Sequence, residues 1–436
     1  MQRQARLGYC LLVVFCLFLM VCPTVLSRPV PQDSTSVPVT AGDARPLLGQ
    51  ITSELLQGYL GRLCAFGPRY AGTVSCNVAS EYIHDAFAAM GLAVEYHNWK
   101  YDRITSRDVV ATLPGTLPDS QGVYIVCGHY DTVKVSPGAD DDGSGAMAVL
   151  AIADALRDQH LNHTVRFITF SGEERGTYGS YTYAREAEAR GDNIIAVLNM
   201  DMVGYANTSV GGRILRFYPP TRSAWIAQYA TEISGKYHDV VDLSIETRPN
   251  YRGSDHQAFV DYGYDAVWIA HYDGYPWGHS KNDNISHINW SYYVTVARFM
   301  CALTWEIAMR PLPVQVILTA PDEGRLYLLN RSVSALDFGK QWTSELRGIT
   351  VIFGRTMARA EVISSEPVAY VVFCIDGDFQ LWDSAPPYAW KVWGWFFPIF
   401  GRHTLQVFAY TTGGHVAYDE MDLFVFSVTD TLFGHG

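Results

Sequence analysis

Between residues 122 and 201, three apolar runs that each end in acids or histidine alternate with two stretches of helical spacing. GVYIVCGHYD (122–131) precedes GSGAMAVLAIADALRD (143–158). TVRFITFSGEE (164–174) precedes TYGSYTYAREAEAR (177–190), and NIIAVLNMD (193–201) follows. Runs that are apolar throughout are buried on both faces. With helices between them they predict an α/β fold, a mainly parallel central sheet flanked by helices. In such a sheet ligands bind just beyond the carboxyl ends of the strands. His129, Glu173, Glu174 and Asp201 all fall at such ends.

The pattern changes after Pro311 and Pro313. VQVILTAP, TVIFG, AYVVFCIDGDF, HTLQVFAYTTGGHVAYD and MDLFVFSV are short alternating runs between Gly, Pro and Asp turns, with no helical stretch among them. They predict an all-β antiparallel sandwich over 314–430, after an α/β domain over 46–310. EPVAYVVFCIDGDFQLWDSAPPYAWKVW followed by GRHTLQVFAYTTGGHVAYDE resembles the immunoglobulin-like modules appended to many secreted microbial enzymes. Tyr388, Trp390, Trp393, Trp395, Phe396 and Phe397 either contact a surface or polymer, or pack in the module or against the first domain.

At the other end, Arg3 and Arg6 precede an uncharged stretch from Leu7 to Ser27. Val25-Leu26-Ser27 then offers small residues for cleavage before Arg28. This is the form of a secretory signal over 1–27, with an uncleaved anchor as the alternative. Residues 28–45, rich in Pro, Ser and Thr, read as a linker. Export to the medium or cell envelope is expected, with no stable membrane insertion after cleavage. The acidic balance, −12 at 436 residues, opposes a nucleic-acid partner. Five cysteines lie beyond the leader, without a CxxC pair, so a cysteine-type zinc knuckle is excluded. Cys64 and Cys76 are the one close pair and the candidate disulfide, whereas Cys127, on an apolar run, reads as a buried free thiol.

The chemistry-bearing residues fall in HYD (129–131), the Asp140-Asp141-Asp142 triplet ahead of Gly-Ser-Gly, the Glu173-Glu174 pair, Asp201, and His279 in GHSKND. Singly, each has a bland reading: a satisfied histidine, a solvated pair, or a turn capping the next helix. Together, oxygen and imidazole donors at neighbouring strand ends are the donor set of a zinc site. Three consecutive carboxylates at one helix start also repel each other unless a cation or the helix dipole offsets them.

In HYD, PGADDDGSG, SGEERGTYGS, NMDMVGY, YRGSDHQAF and GHSKND, in that order over about 46–309, the chain resembles the M28 metallopeptidases. That family includes secreted bacterial two-zinc aminopeptidases. The resemblance implies two Zn2+ per chain, with Asp141 bridging both. His129 and Asp201 would complete one site, and Glu174 and His279 the other. It also implies Asp131 holding the His129 ring and Tyr251, before the Ser-Asp-His motif, donating to the oxyanion. Glu173 is expected to be the general base toward the bridging water, because successive side chains at a strand end point opposite ways and Glu174 is taken by the metal. Asp283, four residues after His279, is expected to hold that ring; Ser254, Asp255 and His256 match the family's motif without being carried over as ligands, with helix capping by Ser254 as the bland alternative.

The substrate is then a peptide or protein, cut at its amino end. A carboxypeptidase or dipeptidase of the same fold is the alternative, with Arg252 as receptor for a carboxylate. A glutaminyl cyclase and a non-catalytic binding protein are the remaining readings.

Overall fold

The computed structural model describes residues 43–118, 122–310, 314–322, 324–335, 350–364, 366–392, 400–413 and 416–426. The expected leader, the linker up to residue 42, and Trp393, Trp395, Phe396 and Phe397 lie outside them.

The chain enters through α1 (Arg45–Leu48), α2 (Ser53–Cys64) and α3 (Val74–Ala89). Thr52 and Thr73 cap α2 and α3, their side chains accepting from Leu55 N and Cys76 N. Then follow β1 (Ala93–Tyr101), β2 (Ile104–Leu113), β3 (Val123–His129), α4 (Gly143–Leu156), β4 (Thr164–Phe170), α5 (Tyr178–Arg190) and β5 (Ile194–Met200). The α/β part closes with β6 (Ile214–Tyr218), α6 (Ala224–Lys236), β7 (Ser244–Thr247), α7 (His256–Asp261), β8 (Ala266–His271) and α8 (Trp290–Met309).

These strands form one eight-stranded sheet in the order β1-β2-β4-β3-β5-β8-β6-β7. Its centre, β4-β3-β5-β8, is parallel throughout, as the continuous apolar runs predict. β1, β2 and β6 run antiparallel to their inner neighbours, so the sheet as a whole is mixed. Every residue of β3 and β5 is buried, and of α4 only Asp154 is not. Full burial of side chains such as Leu150 and Phe299 contributes about 1.5–3 kcal/mol each. The small residues that open α4 let it approach the strand ends: a Cβ on Gly145 would stand 2.1 Å from Met200 O. Helix and strand termini thereby converge at one edge of the sheet. Among the described residues no helix is long and apolar enough to cross a membrane.

The rest of the described chain is β-structure: β9 (Gln315–Ala320), β10 (Arg325–Leu328), β11 (Arg331–Ala335), β12 (Thr350–Phe353), β13 (Thr356–Ile363), β14 (Val368–Ile375), β15 (Asp378–Asp383), β16 (Tyr388–Val392), β17 (Phe400–Thr411) and β18 (Val416–Phe426). They make a sheet β11-β10-β12-β18-β17-β14-β15 and a second β16-β13-β9. Ile352, Phe373, Val392, Val407 and Leu423 belong to one core of their own. Arg222 Nη1 of the α/β part meets Asp419 Oδ1 of β18 at 3.7 Å.

Two expectations are corrected here and an open one is resolved. The sandwich is not wholly antiparallel: β12 runs parallel to both β10 and β18. β11, antiparallel to β10, carries the chain back to the end where β10 began, so β12 can run in the same direction as β10. For Tyr388 and Trp390 the packing alternative holds, since both are buried in the β-core. Cys64 and Cys76 are free thiols; Cys76 is buried in the core, its Sγ 3.7 Å from Ser106 Oγ, and proximity in sequence did not make a disulfide. Cys127 is a buried free thiol, 3.5 Å from Asn199 Oδ1.

Candidate metal centre

His129 closes β3, and its buried ring faces a ring of acids. Nε2 lies 3.6 Å from Asp141 Oδ1, 3.8 Å from Glu173 Oε2 and 3.8 Å from Asp201 Oδ1. On the opposite edge, Nδ1 is 3.2 Å from Asp131 O and 3.6 Å from Asp131 Oδ1. The other oxygen of Asp141, Oδ2, stands 3.2 Å from His279 Nε2, which is 3.0 Å from Glu174 Oε2. Two donor groups result, His129-Asp141-Asp201 and Asp141-Glu174-His279, each with its atoms within 4.8 Å of one another. Asp141 belongs to both.

The triplet divides its labour among three directions. Asp140 Oδ1 accepts from Gly204 N at 2.7 Å, and Oδ2 pairs with His271 Nε2 at 2.9 Å. Asp142 caps α4 through Gly145 N at 2.8 Å and also takes His129 N at 3.0 Å and Met202 N at 3.1 Å. One buried carboxylate thus ties the ends of β3 and β5 to the start of α4, and only Asp141 is left to face the cluster. The bland reading of the triplet as a helix cap holds for Asp142 alone.

The structure revises how the glutamates diverge. β4 ends at Phe170, and Glu173–Arg175 form a single turn of 3-10 helix between Gly172 and Gly176, both with positive φ. A strand's alternation therefore does not separate the two side chains. The tight turn does, sending Glu173 toward His129 and Glu174 toward His279. At Gly172 (φ 83) a Cβ would strike Trp99 at 2.5 Å, so the turn requires glycine. Asp131 Oδ1 accepts from Glu173 N at 3.2 Å, linking the HYD segment to this turn.

Asp283 does not hold His279. Its oxygens accept from Asp140 N at 2.8 Å, Asp141 N at 3.2 Å and the Tyr275 hydroxyl at 2.6 Å, so it fixes the backbone that presents Asp141. His279 is instead held on an exposed loop with a left-handed backbone, φ 54. Ser254 does not cap a helix with its side chain: its hydroxyl goes to Asp201 Oδ2 at 2.5 Å. Tyr251 is 60% exposed, with its ring 5.5 Å from that of Trp268, and among the described residues its side chain makes no hydrogen bond to the cluster. Arg252 is engaged by both oxygens of Asp261 at 2.9 Å. His271 is buried on Asp140, and His287 stacks on Trp277 with ring centroids 3.6 Å apart.

Residues 108–304 match the family model described as peptidase family M28. This segment is a family M28 peptidase domain. Leucine aminopeptidase 1 of Sclerotinia sclerotiorum is 26% identical over 324 residues, covering 66% of this chain and 80% of that protein. Leucine aminopeptidase 1 of Trichophyton rubrum is 26% identical over 314 residues, covering 64% and 81%. Among solved structures, the LapA aminopeptidase of Legionella pneumophila aligns at TM-score 0.56 and 19% identity, over 66% of this chain and 80% of that one. The glutaminyl cyclase of Porphyromonas gingivalis aligns at 0.51 and 19%, over 58% and 98%. These last two likenesses speak for the fold of the M28 domain.

The M28 cluster has the electrostatics of a cation site. Burial opposes a charge on His129, yet Glu173, Asp131 and Asp201 hold its pKa well above the ordinary histidine value. Burial, then the neighbouring Asp141, pushes the Glu174 carboxyl up to about 7. The hydrogen bond that the His279 ring donates to Asp141 is the main cause that raises His279 to about 9. Among the described residues, Glu174 Oε1 and Asp131 Oδ2 are buried without a hydrogen-bond partner. Like charges crowded at such depth, with acceptor oxygens unspent, demand positive charge. Oxygen and imidazole donors in two groups of three fit zinc with coordination left open for a reactant.

Proposed function

We propose that this chain is a secreted zinc-dependent aminopeptidase that removes N-terminal residues from peptides or proteins. The observation that carries the reading is Asp141, whose two oxygens face two different histidines. His129, Asp141 and Asp201 would hold one zinc ion, and Asp141, Glu174 and His279 a second. Zinc in such a site polarises the scissile carbonyl and acidifies water.

The protein's own groups do the rest. Asp131 holds the His129 ring from its Nδ1 edge. Glu173, next to that ring, takes a proton from the attacking water at Oε2 and returns it to the leaving amine nitrogen. Tyr251 lends its phenol to the developing oxyanion. The two relatives named leucine aminopeptidase support the amino end as the point of attack. So does Arg252, which is engaged with Asp261 and not presented to a substrate carboxylate. Residues 1–27 act as the export signal, and the β-region is read as an immunoglobulin-like module resting on the peptidase part through the Arg222–Asp419 contact.

The test is a panel of aminoacyl arylamides beside N-blocked peptides and peptides with N-terminal glutamine. The panel is run with the wild type, with Glu173→Gln, and after chelation and zinc return. Expected is hydrolysis of free-amine substrates alone, abolished by chelator and restored by zinc. Glu173→Gln should keep its zinc and lose about 100- to 10,000-fold in kcat. Release of residues from the carboxyl end of blocked peptides, or cyclisation of glutamine without hydrolysis, would overturn the reading. Edman sequencing of protein recovered from the medium should begin at Arg28.

A further inference from the structure

Arg69 is fully buried, and among the described residues no carboxylate lies within ion-pair reach of its guanidinium. It spends its donors on carbonyls instead. Nε gives to Tyr130 O at 2.7 Å, Nη1 to Pro137 O at 2.6 Å, and Nη2 to Gly138 O at 2.9 Å. Tyr130 is the residue between His129 and Asp131. Pro137 and Gly138 open the loop that delivers Asp141. A planar fork of fixed geometry therefore spans the two segments whose side chains meet in the cluster, His129 on one and Asp141 on the other.

Three further contacts make this a rigid seat. Arg69 N donates to Thr132 Oγ1 at 2.8 Å, joining its own backbone to the HYD segment. Gly138 has a left-handed backbone, φ 58, and a Cβ there would stand 2.2 Å from Thr132 and 2.9 Å from Arg69 Nη2, so the loop is pressed onto the guanidinium. Gly143 N returns to Gly138 O at 3.2 Å, which ties the same carbonyl to the start of α4. A buried cation with no carboxylate in contact is costly to keep; Asp283 and Asp131 act on it only through space, and aligned carbonyl dipoles offset a further part of the cost. A seat of packing alone could be built from an apolar side chain at lower cost.

We propose that Arg69 is a positioning residue for the metal centre. Its guanidinium sets the separation of His129 and Asp141 in the ion-free chain, so that zinc meets preformed ligands. The inference rests on the zinc reading above. It assigns Arg69 no contact with substrate or metal.

Arg69→Lys keeps the charge but replaces the fork with a point donor that cannot hold both loops. Thr132→Val removes the hydroxyl that anchors the Arg69 backbone and keeps the shape of the side chain. Zinc affinity is measured by competition with a fluorescent chelator, zinc content by mass spectrometry, and Tm with and without zinc, all on the full chain. Wild type should bind zinc and gain Tm from it. A wild type that binds none defeats the zinc reading itself, and the inference with it. With the wild type binding, Arg69→Lys should lose at least tenfold in affinity and most of the zinc-induced gain in Tm. Thr132→Val should lose affinity in the same direction by a smaller factor. Equal falls of Tm with and without zinc at unchanged affinity would mean a merely structural arginine and would overturn the proposal. If Arg69→Lys does not fold, Thr132→Val decides alone, and wild-type affinity in it overturns the proposal.

Discussion

Ser254 donates its hydroxyl to Asp201 Oδ2 across 2.5 Å, while itself accepting from Asn199 Nδ2 at 2.7 Å. That leaves Oδ1 of Asp201 as the oxygen facing His129. Partners behind a ligand typically carry about 10- to 100-fold in metal affinity. Ser254→Ala should therefore weaken zinc binding by that order while Ser254→Thr, which keeps the hydroxyl, stays near wild type. Zinc competition titrations check it, and equal affinities for Ala and Thr variants would count against the relay.

Asp283 gathers Asp140 N, Asp141 N and the Tyr275 hydroxyl on one carboxylate. Asp283→Asn replaces one acceptor oxygen with a donor that faces N–H groups. The expected loss is about 1–3 kcal/mol of stability, with Tyr275→Phe losing about 1 kcal/mol. Urea unfolding of the ion-free proteins measures both. A milder effect for Asp283→Asn than for Tyr275→Phe would contradict the arrangement.

His279 is 64% exposed at its side chain, whereas His129 is 1% exposed. The two donor groups should therefore part under mutation. His279→Ala is expected to lower zinc content from two ions per chain toward one, the buried His129-Asp141-Asp201 group retaining its ion. His129→Ala should remove more. Elemental analysis after gel filtration distinguishes the two, and equal loss in both would speak for a single shared ion.

His97 lies between Asp108 Oδ2 at 2.8 Å and Glu186 Oε2 at 3.2 Å, with the Tyr183 ring edge-on. Burial alone would lower its pKa, but hydrogen bonds and charge from Asp108 and then Glu186 raise it above the ordinary value. A histidine raised in the folded state adds stability that is complete below its unfolded pKa, about 6.5, and is lost as pH climbs through the folded value. The advantage of wild type over His97→Gln in urea midpoint should thus be larger at acid than at alkaline pH. A constant difference across that range would argue that His97 acts by packing.

Local sequence determined the strands, the helices between them and the identity of the donors. Continuous apolar runs can only be buried on both faces, and the acids and histidines at their ends are too costly to leave in a core. His129, Asp141, Glu174, Asp201 and His279 were therefore legible as a set, through their types, their order and the family they resemble.

What each neighbouring residue does was decided by tertiary structure, because a hydrogen bond depends on the direction of a side chain and not on its spacing. Spacing put Asp283 on His279, yet the fold turned it to the backbone of Asp140 and Asp141. Strand alternation predicts that Glu173 and Glu174 diverge, yet it is a 3-10 turn that separates them. Cys64 and Cys76 flank a short loop and still form no disulfide, Cys76 Sγ lying against Ser106 instead. Arg69 sits in that loop with no charged residue beside it in sequence. Its partners are carbonyls 61, 68 and 69 positions away, and only the folded chain brings them within reach.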